Sequence, residues 1–289
     1  MNQKIKKFFK FIWNEFIYGG HLQCLGFVGV VIIASDLFNL KINWILLVFV
    51  YLIFYLIYIY NRFKEIQIDE LTNPERVKHF KGYFSKIKKI FYFLFFFLIG
   101  ALIYIRNFPF LVFSLSLLFL GLLYTPTLKN LTKKIIGFKN FYVALFFSVI
   151  VFSPFFYYFY PLNRSLLPSI SAFAIFVFLK ALMMQIFLDC KDVEGDKKMN
   201  LRTFPVVFGR EKTLKFLKMS DSFITGFILI VFCLIYKIFS ASLLMFLFLI
   251  PFNFVCVDLA KNRKYFGYIL KSAEFFLWLI LFFIGKTIL

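Results

Sequence analysis

The chain has 289 residues, of which 62% are hydrophobic and 23% aromatic, and its formal net charge at pH 7 is +20. This composition excludes an ordinary soluble domain and predicts an integral membrane protein. Apolar runs of about 17–22 residues favour membrane-spanning helices over a β-barrel, whose strands would alternate apolar and polar residues. The positive charge requires no nucleic-acid partner, because basic cytosolic loops facing anionic lipid account for it.

In chain order, residues 1–18 form a basic, aromatic stretch that is predicted to lie along the membrane surface. The apolar segments that follow have approximate bounds of 22–35, 43–60, 90–105, 108–125, 140–159, 166–188, 220–236, 241–259 and 266–285. Short connections are expected at 36–42, 106–107, 160–165 and 237–240, and long ones at 61–89, 126–139 and 189–219. We therefore predict an all-α polytopic protein with nine transmembrane helices.

The distribution of basic residues predicts the orientation. The N-terminal stretch and the long connections, with 260–265, carry 27 Lys and Arg residues, whereas the opposite side carries five. Lys180 and Lys271 lie within apolar segments. The positive-inside rule therefore places the N-terminus and all long loops in the cytosol, as expected for a protein of the inner or cell membrane.

The second apolar segment is followed by a first polar cluster. Asn61, Glu65 and Asp69 are spaced four residues apart, so on a helix they share one face. Arg76 follows in Asn73-Pro74-Glu75-Arg76, which reads as a turn by default but places a guanidinium where it could hold a phosphate bidentately.

Arg62 stands one residue after Asn61 and is turned about 100° from it on a helix, so it need not join that cluster. Two interpretations remain open. Arg62 either faces lipid headgroups, or it points into the cytosolic mouth and holds an anionic substrate.

The fourth apolar segment ends in Tyr124-Thr125-Pro126-Thr127-Leu128-Lys129. One interpretation is an interfacial aromatic residue followed by a proline and a cytosolic lysine. The other is a phosphate site in which hydroxyl groups and the Lys129 ammonium converge.

The sixth segment leads into the second cluster, where Asp189, Asp192 and Asp196 fall within eight residues. On a helix their carboxylates lie on neighbouring ridges, and such oxygen ligands favour a hard cation such as Mg²⁺. The alternative is a solvated acidic turn balanced by neighbouring lysines.

Lys180 lies nine residues before Asp189, about 13 Å deeper along a helix axis. It either extends its ammonium towards the cytosolic edge or pairs with an anionic ligand, and we expect the second.

With these motifs the chain resembles the UbiA-type intramembrane prenyltransferases over essentially its whole length. The resemblance implies a single domain over residues 1–289, a bundle of nine transmembrane helices with a cytosol-facing central cavity. Asp189-x-x-Asp192-x-Glu194-Gly195-Asp196, followed by Thr203-Phe204-Pro205-Val206, is close to the second Asp-rich motif of that family. The first motif is looser, since Arg62 stands where the first aspartate is common and Glu65 replaces an aspartate.

The resemblance implies Mg²⁺-dependent transfer of an isoprenyl group from an isoprenyl diphosphate to a nucleophilic acceptor. The implied metal ligands are Asn61, Glu65, Asp69, Asp189, Asp192 and Asp196. Asp69, Asp192 and Asp196 are the implied catalytic residues. The diphosphate would contact Arg62, Arg76, Tyr124, Thr125, Lys129 and Lys180. If Arg62 points into the cytosolic mouth, its alternative role is to hold an anionic acceptor, such as a phosphosugar or a carboxylate, beside the donor diphosphate. Alternatives are a membrane transporter or lipid-binding protein, or a family member that has lost turnover; no motif identifies the acceptor.

Overall fold

The computed structural model describes residues 3–82, 84–159 and 166–289, and these form helices and loops without a β-strand. The α-helices, numbered in chain order, are α1 (Gln3–Tyr18), α2 (His21–Leu37), α3 (Trp44–Thr72), α4 (Pro74–Lys81), α5 (Phe84–Tyr104), α6 (Phe108–Tyr124), α7 (Phe138–Val149), α8 (Ser153–Tyr158), α9 (Leu167–Asp189), α10 (Val193–Lys198), α11 (Phe204–Phe208), α12 (Arg210–Leu229), α13 (Leu249–Lys261), α14 (Phe266–Ser272) and α15 (Glu274–Ile288). Leu128–Lys133, Ile150–Phe152 and Ala241–Phe248 are 3₁₀-helical, and Ile230–Ile235 is π-helical. The all-α prediction is confirmed.

Asparagine and proline residues set several helix boundaries. The Asn43 side chain accepts a hydrogen bond from the amide of Ile45 and so caps α3, and Asn107 caps α6 by accepting from Phe110. At the other end of α3, Asn73 precedes α4 and Pro74 is its first residue. A proline fits the first position of a helix because an amide hydrogen there would have no acceptor within the helix. Asn43 and Asn73 thus mark the two ends of α3.

Each of the nine predicted apolar segments falls on a helix or on consecutive helical pieces. Within the described ranges, six helices are long and apolar enough to cross a membrane, or up to eight spans if each of two bent pairs counts as one. The remaining apolar helix, α6, has only 17 residues. These helices indicate an integral membrane protein. The count of nine spans stays a prediction. The link expected at 160–165 lies outside the described residues.

The bundle core is aromatic. Trp278 of α15 is fully buried and stacks on Phe176 of α9, with 5.0 Å between ring centroids. Among the closely packed pairs are α7 with α9 and α2 with α15. On the outside, Phe93 and Phe96 of α5 are each 69% exposed, as expected for side chains that face lipid.

The N-terminal helix α1 is tied to the polar end of the bundle. Glu15 contacts His79 of α4, with 2.7 Å between Oε2 and Nε2, while Phe8 and Trp13 are more than half exposed. This geometry suits the predicted position of α1 along a membrane surface.

Candidate active site

Helix α3 continues for several turns beyond its apolar run, and its polar end forms one wall of a cavity of about 270 Å³. Asn61, Arg62, Glu65 and Asp69 all line this cavity. Arg62 therefore points into the mouth of the cavity, and the interpretation that it faces lipid headgroups is wrong. Arg62, Glu65 and Asp69 are spaced three and four residues apart, so they too share a helix face.

Every carboxylate oxygen of this first cluster has a cationic partner. Lys129 Nζ lies 2.5 Å from Oε1 of Glu65, and the Arg62 guanidinium lies 3.6 Å from Oε2. Arg62 also contacts Oδ2 of Asp69 at 2.8 Å, and Arg76 pairs with Oδ1. The first cluster is thus a network of ion pairs.

The ion pairs with Arg62 and Arg76 keep the Asp69 carboxyl group ionised. Burial raises the pKa of Asp69, but the positive charges of Arg62 and Arg76 outweigh burial, so the pKa lies below the ordinary aspartate value. Asp69 is therefore ionised at neutral pH without any metal ion beside it.

The segment after α6 supplies the neighbouring wall. Thr125 Oγ1 donates to Oδ1 of Asn61 at 2.6 Å, so its hydroxyl positions Asn61. Tyr124 and Lys129 line the cavity, and the Tyr124 ring stacks on Tyr142 with centroids 5.0 Å apart. The structure thus brings both of these predicted residues to the cavity.

The second cluster is divided by a break between helices. Helix α9 ends at Asp189, and Asp192 precedes α10, with the amide of Asp192 donating to the Asp189 carbonyl at 3.0 Å. Asp189 and Asp192 therefore do not lie on one continuous helix, so the arrangement of carboxylates on neighbouring helical ridges does not apply to them. Both still line the cavity, whereas Asp196, 7% exposed, is not part of its lining.

The three aspartates differ in how well they are compensated. Asp189 is fully engaged, with Lys139 Nζ and Asn140 Nδ2 each 2.7 Å from one of its oxygens. Among the described residues, the Asp192 carboxylate has only long contacts, to Asn73 Nδ2 at 3.4 Å and to Lys191 Nζ at 3.9 Å.

Asp196 accepts from the hydroxyl of Thr203 at 3.1 Å. Burial raises the pKa of Asp196 to about 6, opposed by Lys139 and reinforced by the charges of Asp189 and Asp192. Burial likewise raises the pKa of Asp192 above its ordinary value, with Lys191 opposing the effect. Asp192 and Asp196 are therefore the carboxylates that an added cation would stabilise most.

The two clusters differ as candidate sites for Mg²⁺. Among the described residues no three Asp, Glu, His or Cys side chains are grouped as a metal site would need. Mg²⁺ often uses only one or two carboxylates, completing its shell with water and substrate phosphates. The under-compensated carboxylate of Asp192 fits that role, and the ion-paired oxygens of Glu65 and Asp69 do not.

The deeper part of the cavity is apolar and aromatic. Phe27, Phe54 and Phe147 line it, and their rings lie close together, with the Phe27 centroid 3.4 Å from that of Phe54 and 3.8 Å from that of Phe147. Phe54 precedes Asn61 by seven residues on α3, about 10 Å along the axis. The cavity therefore has a charged end and an apolar end about two helical turns apart.

Lys180 lies outside this cavity, which corrects the expectation that it contacts an anionic ligand. Its ammonium is buried, 2.5 Å from Asp221 Oδ1 and 2.8 Å from Glu274 Oε1. Lys271 completes the cluster by pairing with the same two carboxylates. The positive charge of Lys180, which we expected to contact a ligand, is instead balanced by acidic residues of α12 and α15.

Sequence reasoning missed four residues that line the cavity or hold its carboxylates: Asn73, Lys139, Asn140 and Lys191. Lys139 and Asn140 lie in the first turn of α7. Gly137, the residue before this helix, has a left-handed backbone with φ of 68°. The only signal was a lysine next to an asparagine at the start of an apolar segment. Asn73 joins the two clusters. Its backbone amide donates to the Asp69 carbonyl at 2.7 Å, and its side chain accepts from Lys191 at 3.0 Å and donates to Asp192.

Several solved structures share this fold. A UbiA homologue from Aeropyrum pernix K1 superposes with a TM-score of 0.64 at 14% identity, covering 92% of this chain and 96% of that one. A UbiA homologue from Archaeoglobus fulgidus, bound to GPP and Mg²⁺, gives 0.57 at 14% identity and covers 96% of this chain and 97% of that one. A structure from work on digeranylgeranylglyceryl phosphate synthase in membranes gives 0.56 at 17% identity, covering 97% of this chain and 100% of that one.

No curated protein is similar enough in sequence to count as a match. Residues 24–283, however, match the UbiA prenyltransferase family. The match spans most of the chain, and it includes both polar clusters and the cavity between them. The chain therefore belongs to the UbiA prenyltransferase family.

Proposed function

We propose that this protein transfers an isoprenyl group from an isoprenyl diphosphate to a nucleophilic acceptor within the membrane. The observation that carries the proposal is the division of one cavity into a charged end and an aromatic end. Such a cavity suits a donor with an anionic head and an apolar tail. The A. fulgidus homologue bound to GPP and Mg²⁺ supports a donor of this class.

The charged end suits a diphosphate. Five cationic side chains line it, namely Arg62, Arg76, Lys129, Lys139 and Lys191. Burial lowers the pKa of Lys191 to about 8, so at neutral pH this ammonium is still mostly protonated. These cations stabilise the negative charge that develops on the leaving diphosphate in the transition state.

Mg²⁺ is the proposed cofactor, and Asp192 is its main proposed ligand because Asp192 lines the cavity and has the least compensated carboxylate. Asp189 also lines the cavity, but Lys139 and Asn140 already occupy its oxygens. When bound, the ion would neutralise charge on the donor phosphates. Asp192 contributes its weakly engaged carboxylate, and Asp196 is positioned by Thr203.

In the reaction the bond between the first carbon of the isoprenyl group and the phosphate oxygen breaks, and the electron pair leaves with diphosphate. The allylic cation then gains a bond to the acceptor nucleophile, which loses a proton. The rings of Phe27, Phe54 and Phe147 line the apolar end of the cavity and exclude water from the donor tail. Tyr142, which stacks on Tyr124 and also lines the cavity, offers aromatic surface to the cation.

We further propose that the cavity opens to the cytosol and that the whole chain is one domain. The distribution of basic residues supports the orientation, because 27 of them lie on the side that carries both clusters. The proposed acceptor is a small molecule or lipid that can reach the mouth of the cavity, of the aromatic, quinone-precursor or phosphosugar class.

The test is isoprenyl transfer by the detergent-purified protein supplied with geranyl diphosphate, Mg²⁺ and a membrane lipid extract, followed by mass spectrometry of the lipids. We expect a lipid whose mass has grown by one geranyl group, with release of inorganic diphosphate that requires Mg²⁺. Substrate uptake into proteoliposomes without diphosphate release would favour a transporter instead.

A further inference from the structure

The first cluster carries cations where a second metal ion would otherwise be expected. We propose that Arg62, Arg76 and Lys129 bind the donor diphosphate directly and take the place of a metal ion there, so that a single divalent ion, held at the second cluster, accompanies the donor. This inference rests on the proposed function and concerns how the same site binds its donor.

The oxygen atoms of the first cluster are already occupied. Lys129 and Arg62 contact the two oxygens of Glu65, and Arg62 and Arg76 contact the two oxygens of Asp69. The remaining candidate ligand, Asn61, accepts the Thr125 hydroxyl through its side-chain oxygen. A metal ion would have to displace a buried guanidinium or ammonium from each carboxylate.

The pairing is built into helix α3. Arg62, Glu65 and Asp69 occupy positions three and seven residues apart, so their side chains emerge from one face over two turns. Arg62 and Asp69 are 18% and 7% exposed at the side chain, and low exposure strengthens their attraction. Arg62 thus reaches both carboxylates from its own helix.

The charges of the two clusters are opposite in sign. In the first cluster three cations face two carboxylates, which leaves one excess positive charge. In the second, the cations that pair with Asp189, Asp192 and Asp196 within the described residues are Lys139 and Lys191, which leaves one excess negative charge. A diphosphate is therefore attracted to the first cluster and a divalent cation to the second.

The guanidinium groups retain hydrogen-bonding capacity for a ligand. Within the described part of the chain, the Nε atoms of Arg62 and Arg76 are buried and have no hydrogen-bond partner, and both residues line the cavity. Arginine presents its N–H groups in a planar fork that matches phosphate oxygens. Two such forks beside a lysine form an anion site.

The experiment counts divalent ions directly with Mn²⁺, whose binding is followed by electron paramagnetic resonance in the presence of inorganic diphosphate. We expect one bound Mn²⁺ per protein chain. Glu65→Gln, which keeps the side-chain shape, should leave that count at one, and so should the matched control Glu70→Gln, whose carboxylate pairs with Lys81 outside the cavity.

Two further variants separate the roles of the clusters. Asp192→Asn should lose the bound Mn²⁺. Arg62→Met should keep a single bound Mn²⁺ while weakening diphosphate binding, measured by calorimetry, about tenfold, the effect of losing one charge-assisted interaction of about 1.4 kcal/mol.

Two bound Mn²⁺ ions, none, or loss of one ion in Glu65→Gln would each overturn the inference. Its failure is distinct from that of the proposed function. Isoprenyl transfer with two bound ions would refute the inference alone, and a one-ion complex without isoprenyl transfer would refute the proposed function alone.

Discussion

The side chains of Lys180 and Asp221 form an ion pair in the interior of the helix bundle, with 2.5 Å between Nζ and Oδ1 and both side chains 1% exposed. Lys271 and Glu274 close the arrangement into a cluster with two positive and two negative charges. Because it joins α9, α12, α14 and α15, it fixes how the last, bent helix pair packs on the bundle. An isolated charge at this depth would be costly, so each member depends on the others.

We predict that Lys180→Met destabilises the protein by about 3–5 kcal/mol, because two carboxylates are left with only Lys271 to compensate them. The free energy of unfolding in mixed detergent micelles would measure the loss. The matched control is Lys218→Met, which removes an exposed pair with Asp258 and should cost no more than about 1 kcal/mol.

Adding Asp221→Asn to Lys180→Met should recover part of the lost stability, since it removes one of the uncompensated charges. Donor affinity should be unchanged in Lys180→Met, as Lys180 does not line the cavity. Weakened donor binding in a fully stable Lys180→Met protein would instead place Lys180 at the donor site.

Lys180 also shows where sequence reasoning stops. Its position inside an apolar run correctly indicated that the ammonium needs an anion, since a lone buried charge is too costly. The sequence could not say which anion, because Asp221 lies 41 residues further along the chain and Glu274 further still. Helical periodicity describes one helix face at a time and not which helices meet.

At the candidate site, too, the sequence predicted which residues share a helix face but not which distant segments meet. The four-residue spacing of Asn61, Glu65 and Asp69 placed them on one face, as the structure has them. Lys139 and Asn140 reach Asp189 only because two loops dock: the amide of Gly137 donates to the Arg202 carbonyl, and that of Arg202 to Thr132, both at 2.9 Å. Such pairing between distant loops has no local sequence signal.

We predict that Asp192→Asn abolishes metal-dependent isoprenyl transfer while the protein still folds and inserts. Asp192 has the weakest contacts of the cavity-lining carboxylates, so its loss removes little packing but one oxygen ligand. Transfer would be followed with and without Mg²⁺, and folding by the unfolding midpoint. Glu194→Gln, at an exposed position two residues away, is the control and should behave as wild type. Full activity in Asp192→Asn would remove this residue from the metal site.

The orientation of the protein gives a third prediction. A cysteine at Lys198, exposed on α10 beside the second cluster, should react with membrane-impermeant maleimide only from the cytosolic side. A cysteine at exposed Lys237 should react only from the outside. The native cysteines, Cys24, Cys190, Cys233 and Cys256, are all buried, which keeps the background low. Reaction of both positions from the same side would contradict the predicted topology.

The fourth prediction concerns the length of the isoprenyl chain. Phe27 is 7% exposed, and its ring stacks between those of Phe54 and Phe147 at the apolar end of the cavity. Shortening this side chain opens space about two helical turns below the charged end, where a longer tail would lie. We therefore expect Phe27→Leu to raise the ratio of kcat/KM for farnesyl diphosphate to that for geranyl diphosphate, by about tenfold if one added contact is gained in an apolar pocket.

Leucine is preferred to alanine at this position because Phe→Ala in a core costs about 3–5 kcal/mol and could unfold the bundle before it changes selectivity. Phe282→Leu is the matched control, since Phe282 is fully buried on α15 but does not line the cavity. If both variants shifted the ratio equally, the change would reflect loosening of the whole bundle. A shift confined to Phe27→Leu would show that the ring of Phe27 limits the depth to which the donor tail enters, because only there does the lost volume adjoin the path of the chain.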